Sequence, residues 1–415
     1  MSRSLRRRAA HAALFILSPA VLGMSASHAQ QANDWPDWLK AAMAEESENL
    51  TSATVSAADG LYRFQLAGKP ATPDAFDGGW YFESDIGSAA PLECYLFSDD
   101  TDLATLVVNL AEVNIEANAA ANSGPVGNRS VFALDAGAIE GAPFLAIEWM
   151  YTVGEAPKAL LGFTKVRAAI QGAIVLACSH NFLGYRETFA NAFADFVRSA
   201  EQPAVEMAPY YEEVATQSIG GQRMGITRVT YSRDADGDSL INMISSSLVP
   251  VGPASINSSD SSTISWSTPG GELINVFMAD SENGELVSNM RLDRNDDGDW
   301  VSSGTYQGKE IEQIMDGSVQ PLSELGQMRV VKSLFESEAT EAYFQLWIAN
   351  ADPTRFLEGK LQRKNTQVTD AGTLSLGPLS FDARFDDDGA LRQATTRMGV
   401  ADMSIDRVWT QGAPW

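Results

Sequence analysis

The feature that most restricts the fold of this chain is a unit that recurs in its second half. Each unit is an apolar–polar alternation, a turn built on Asp-Gly or Asn-Gly, and an alternating return. Leu273 to Ala279 runs into Glu282-Asn283-Gly284, Leu286 to Leu292 runs into Asp296-Asp297-Gly298, and Trp300 to Tyr306 follows. Leu379, Phe381, Ala383 and Phe385 alternate before Asp386-Asp387-Asp388-Gly389, and Leu391 to Met398 returns. Asp-Gly and Asn-Gly accept the left-handed backbone of a tight reversal, so this pattern predicts an antiparallel meander with one face buried. Between the two blocks, Leu322, Leu325, Val331, Leu334 and Phe335 predict a helix, while Tyr343 to Ile348 fits either element.

The first half reads differently. Residues 34–50 predict a short helix opened by Pro36, and β-like runs begin at Tyr62, Phe64 and Leu66 and at Trp80-Tyr81-Phe82. Leu103, Leu106, Val107, Leu110 and Val113 recur at helical spacing behind Asp99-Asp100, and residues 118–128 read as a loop. Val131-Phe132, Phe144 to Tyr151 and Ala173 to Cys178 read as strands, and Tyr185, Phe189, Phe193, Phe196 and Val197 form one face of a closing helix. Residues 199–212 carry two prolines and no amphipathic period. The expected class is α+β: an N-terminal mixed α+β domain over 30–198, a linker over 199–212, and a mostly antiparallel β domain over 213–415. That second domain would be a meander or curved sheet with one or two helices. Separate cores are expected for the two units.

Residues 1–29 have the order of a secretory signal: four arginines, a short apolar run broken by Ser18-Pro19, then Ser27-His28-Ala29. Paired arginines also fit twin-arginine export, although Ala9 and Ala10 follow them instead of bulky residues. The expected location is periplasmic or secreted. Removing that segment takes four of the 29 basic residues and leaves 25 against 54 acids, a formal charge of −29. Such a field repels nucleic acid and anionic membrane surfaces. It fits a soluble acidic protein with no integral membrane segment in its mature chain. An outer-membrane barrel is not expected, because the strands read as too short and too few and residues 410–415 do not alternate. Cys94 and Cys178 are the only cysteines and form an even pair, which in an oxidising compartment predicts one disulfide.

The sharpest chemical candidates are the aspartate loops. Asp234, Asp236 and Asp238 in one, and Asp293, Asn295 and Asp297 in another, place oxygens at alternate positions with a glycine at the turn, which makes them calcium candidates. Position twelve of the second loop is Gly304, where a calcium loop needs a bidentate glutamate, and the flanks read as strands. Hairpin turns account for these loops better than metal sites do. No other cofactor is indicated.

Catalytic signatures are missing. His180 is the one histidine left after residues 1–29, and no Gly-x-Ser-x-Gly elbow, phosphate loop or dinucleotide fingerprint occurs. Cys178-Ser-His180 could place a thiol beside a base, but a disulfide next to a polar histidine explains the same residues. One histidine and an oxidised cysteine pair cannot supply an ordinary zinc site. With 54 acids, a pair of carboxylates suited to glycoside hydrolysis arises at any spacing. Trp266, Trp300, Tyr306, Tyr343, Trp347 and Trp409 gather in the second half, chiefly as core. A curved sheet carrying such aromatics inside could hold an apolar ligand. In architecture alone, that sheet with a helix across it resembles lipoprotein carriers and lipid-binding sheets of the bacterial envelope. The expected function is a non-catalytic binding or envelope-assembly protein with an envelope ligand or protein as partner. The alternative is a carboxylate-based hydrolase, with or without bound calcium.

Overall fold

The computed structural model describes residues 36–48, 50–98, 101–155, 158–201, 203, 207–399 and 401–415. The expected signal over 1–29 lies outside the described residues, as does part of the expected linker. The fold is dominated by antiparallel sheet, with four α-helices among the described residues.

The first half begins with helix α1 (Asp37–Met43) and a hairpin of β1 (Ser52–Ala57) and β2 (Tyr62–Ala67). Its main sheet contains β3 (Lys69–Pro70), β4 (Asp74–Phe76), β5 (Gly79–Asp85), β6 (Leu92–Phe97), β7 (Val126–Ile139), β8 (Ala142–Val153), β9 (Leu160–Gln171) and β10 (Ile174–His180). The strand order is β3-β5-β6-β10-β9-β8-β7, with β4 beside β5. Helix α2 (Leu103–Ala121) covers one face, and α3 (Arg186–Arg198) with the β1–β2 hairpin covers the other. Because both faces are covered, every residue of the central strand β10 is buried.

Two local expectations change. The helix expected over 34–50 stops at Met43, because the chain beyond it turns to serve α3. Tyr185 precedes α3 in a left-handed conformation and supplies no cap, so Glu46 accepts the Glu187 and Thr188 N–H groups instead, at 2.9 and 2.7 Å. The loop expected from 118 begins later, since α2 runs to Ala121.

The second half is one antiparallel sheet of fourteen strands: β11 (Tyr211–Ile219), β12 (Gln222–Arg233), β13 (Ser239–Gly252), β14 (Ser255–Ser267), β15 (Leu273–Glu282), β16 (Glu285–Arg294), β17 (Trp300–Tyr306), β18 (Lys309–Met315), β19 (Glu341–Leu346), β20 (Leu357–Gln362), β21 (Ala371–Leu376), β22 (Leu379–Phe385), β23 (Leu391–Met398) and β24 (Ala401–Gly412). β11 pairs with β24, so the sheet runs outward from this pair to edge strands β18 and β19. The ambiguous 343–348 segment is strand to Leu346. These strands are longer and more numerous than the sequence suggested. Helix α4 (Glu324–Glu336) connects the two edge strands.

The sheet curls until its edges approach without pairing. Trp347 and Phe356, after β19, pack on Leu273, Val276, Leu292, Trp300 and Met315 from the other edge region. At one end a backbone relay crosses the gap: the Leu273 N–H donates to Pro321 O and the Leu322 N–H to Gln345 O. The expectation of separate cores is corrected. One apolar cluster passes from α2 and β8–β10 into Met224, Ile226, Leu248, Val249 and Met403 of the large sheet. The spacing of Leu103, Leu106, Val107, Leu110 and Val113 does not mark this, because α2 also buries Ala104, Ala111, Asn114, Ile115 and Ala119.

Candidate functional site

The aspartate loops are turns of one design. Residues 234–238, 295–299 and 386–390 each join neighbouring paired strands. In each, the first side chain accepts two backbone N–H groups: Asp234 from Asp236 and Asp238, Asn295 from Asp297 and Asp299, and Asp386 from Asp388 and Ala390. These bonds are about the length of ordinary neutral ones, and they turn each leading oxygen inward on its own loop. Asp293 lies in β16 and pairs with Arg291. Among the described residues no group of three acids, histidines or cysteines is arranged to hold a metal ion.

Cys94 and Cys178 are directly opposed on β6 and β10 and form a buried disulfide, with Cα atoms 4.0 Å apart. A thiol–imidazole pair is thereby excluded at this position. His180 instead meets Ser88 Oγ through Nε2 at 2.8 Å, and burial together with Lys165 pushes its pKa down to about 3. Lys165 is itself buried, donates to the Phe182 and Gly184 carbonyls at 2.6 Å, and is lowered to about 7 by burial.

The principal cavity lies inside the curled sheet, beneath α4, with a volume of about 290 Å³. Its position follows from the period of two. Val229 of β12, Met243 of β13 and Val276 and Met278 of β15 point inward, and Leu374, Leu376 and Phe385 do so from the opposite wall. Met328 and Val331 of α4 close the top, while Phe344, Leu346 and Trp347 close the seam side. Helix α4 is fixed by Ser323, whose hydroxyl caps Gly326 N–H, and by a close approach of Gly271 to Gly326 where a Cβ would meet backbone at 2.2 Å. Of the aromatics singled out in the sequence, Trp347 lines the cavity. Trp300 is buried in the cluster where Trp347 and Phe356 pack on Leu273 and Val276, Tyr343 is exposed, and Trp409 lies against Gly141 of the first half.

Polar groups sit at specific points of this apolar wall. Glu213 accepts from Tyr211 Oη at 2.7 Å and from Arg407 at 3.3 Å, and Arg407 also donates to Asp386 at 2.6 Å. Burial raises the Glu213 pKa against the pull of Tyr211 and Arg407. Glu324 opens α4 and receives one side-chain hydrogen bond, from Ser265 at 3.3 Å. Glu324 is half-buried and lines the cavity, and its partial burial raises its pKa. Tyr231 is fully buried on the same wall, and its hydroxyl has no partner. A smaller polar cavity of about 20 Å³ adjoins the first and shares Ser261 and Asn350 with it. There Asp280 is buried, receives Asn350 Nδ2 at 3.3 Å, and keeps one oxygen without a partner.

The acids were missed in the sequence because they are few among 54. A usable signal existed: Glu213 shares the inward parity of Ala215, and Glu324 directly follows the Ser323 cap.

No protein-family model matches the chain, and no curated protein matches it. Among solved structures, it is similar to a β-barrel-like protein of the domain of unknown function DUF1849 from Brucella abortus, at 16% identity and a TM-score of 0.38. That match covers 50% of this chain and 99% of the other. It is also similar to cyanobacterial PsbP from Synechocystis, at 12% identity and a TM-score of 0.26, covering 37% and 93% of the two chains. Likenesses this low transfer neither fold nor function. No described helix is long and apolar enough to cross a membrane.

Proposed function

We propose that the protein is a non-catalytic, extracytoplasmic binding protein whose large sheet holds an apolar small molecule beneath α4. The observation that carries this reading is the 290 Å³ cavity and its wall of inward-facing aliphatic and aromatic side chains. Its size lies at the small end for ligand pockets, about 300–1,000 Å³, and suits a single-chain or compact molecule. The buried disulfide supports an oxidising compartment, periplasmic or secreted. In this reading the sheet of β11–β24 forms the container, and the first sheet with α2 is docked against it.

The acids do not favour the hydrolase alternative. Glu213 is committed to Tyr211 and Arg407. Glu324 and Asp280 engage Ser265 and Ser261, four residues apart on one face of β14. At about 3.4 Å per residue those serines are roughly 13 Å apart. Paired glycosidase carboxylates stand about 5–9.5 Å apart.

Native mass spectrometry of protein purified from its own envelope fraction tests the reading, with Nile red titration as a second measurement. A retained apolar molecule, or Nile red binding abolished by Met278→Trp within the cavity, is expected. A ligand-free mass together with no Nile red binding would reject the container.

A further inference from the structure

The cavity is apolar over most of its wall, yet its charged groups are unbalanced. Arg407 is the one cation among the described residues of the wall, and Glu213 and Asp386 already hold it. Glu324 faces the same space with only the Ser265 hydroxyl and the N-terminal turn of its own helix to offset a charge. Beside it, the Tyr231 hydroxyl is fully buried without a partner. Asp280 leaves a second carboxylate oxygen unmatched in the adjoining polar cavity. A buried carboxyl in such a place is either held neutral or matched by charge from the ligand. No wall group is left to neutralise an acidic ligand, so a carboxylate or phosphate brought here would add repulsion to desolvation.

We infer that the ligand is an amine-bearing amphiphile, its apolar body between the sheet and α4 and its ammonium on Glu324. The inference rests on the container reading above and specifies its ligand class. The Tyr231 hydroxyl then lies beside the polar end of the ligand, where it can donate to any acceptor carried next to the amine. The acidic surface of the whole chain, with a formal net charge of −25, draws a cation toward the entrance and repels anions.

Three probes with the same ten-carbon tail separate the possibilities: decylamine, cationic at neutral pH, decanol, and decanoate. Each is titrated into full-length protein at pH 7, below its aggregation threshold, by displacement of Nile red. The expected order is amine over alcohol over acid, with about tenfold between amine and acid, because a desolvated charge pair is worth at least that much. Glu324→Gln, which keeps the shape of the neutral acid, should bring amine and acid within about threefold of each other. Asp280→Asn should preserve most of the preference. Equal affinity for the three probes, or a preference for decanoate, measured on the unaltered protein overturns the inference while leaving the container standing. Loss of the preference in Asp280→Asn but not in Glu324→Gln moves the amine away from Glu324 and overturns the assignment. Failure of all three probes and of Nile red rejects the container itself.

Discussion

Two buried aspartates on neighbouring strands of the large sheet meet opposite treatment. Asp260, on β14 at the junction of the two halves, accepts the Ala104 and Thr105 N–H groups, the Thr105 hydroxyl and the Ser246 hydroxyl, at 2.6–3.0 Å. It closes the N-terminus of α2, whose own Asp102 supplies no side-chain cap. Asp280, on β15 and facing the interior, receives Asn350 Nδ2 at 3.3 Å, lies against the Ser261 hydroxyl, and keeps one oxygen without a well-formed bond. Burial raises both pKa values, so the difference lies in how many donors surround the carboxyl. The junction is built to be satisfied, and the interior leaves polar groups to be met by something else. In the reading proposed above, this contrast separates a part made for stability from a part made for binding.

The largest effect expected belongs to the framework. The Cys94–Cys178 bond closes a separation of 84 residues between adjacent strands. Replacing both cysteines by alanine should lower unfolding free energy in urea by about 4.5 kcal/mol on the chain-entropy estimate. A loss below about 1 kcal/mol would mean that the first sheet is not the cooperative anchor of the molecule. Next comes Asp260→Ala, which strips the cap and leaves buried donors unmatched, at about 3 kcal/mol. Asp280→Asn should lie within about 1 kcal/mol of the unaltered protein, because it removes an unmatched charge. Equal losses at the two aspartates would dissolve the contrast.

A smaller effect depends on pH. Burial holds the folded pKa of Glu324 above its ordinary value, so the folded state binds its proton more readily than the unfolded chain. Stability from this group is therefore greatest near pH 4 and falls as pH rises through the folded pKa. Glu324→Gln removes that slope. Its melting temperature should exceed that of the unaltered protein by more at pH 8 than at pH 5. A constant difference across this range would show that the carboxyl titrates normally and faces bulk water.

Much of the fold was legible because hairpins are local. Asp296-Asp297-Gly298 and Asp386-Asp387-Asp388-Gly389 lie where β16–β17 and β22–β23 reverse, and the alternation around them gave the inward faces. The disulfide followed from an even cysteine count. A curved sheet was expected, but the approach of its two edges was not legible, since it depends on Trp347 and Phe356 meeting residues of β15–β18 that lie far away in sequence. The shared core was hidden for the same reason, because the cap that docks α2 comes from Asp260, more than 150 residues downstream. The cavity acids illustrate a further limit. A glutamate in an alternating strand has the same sequence signature whether it faces water or a cavity, and only the closure of the sheet decides which.

The smallest effect expected concerns calcium. If the three turns are self-contained, millimolar calcium followed by excess chelator should move the melting midpoint by less than about 1 °C. The leading side chain of each turn already accepts two N–H groups, and it would have to give up part of that bonding to join a shell of six or more oxygens at about 2.3–2.6 Å. The turn at 386–390 is held further, because Asp386 also pairs with Arg407 and Gly389 packs where a Cβ would meet Met328 O at 2.2 Å. Calcium bound there would pull Asp386 from Arg407 and disturb the cavity wall. Calcium bound at 234–238 or 295–299 would leave that wall alone. A midpoint shift above about 5 °C would identify a metal site by mass action. Repeating the measurement in Asp234→Ala, Asn295→Ala and Asp386→Ala would then identify which turn holds the ion. A shift lost only in the Asp386 variant would make the cavity itself calcium-sensitive, joining the satisfied and unsatisfied parts of the molecule through a single side chain.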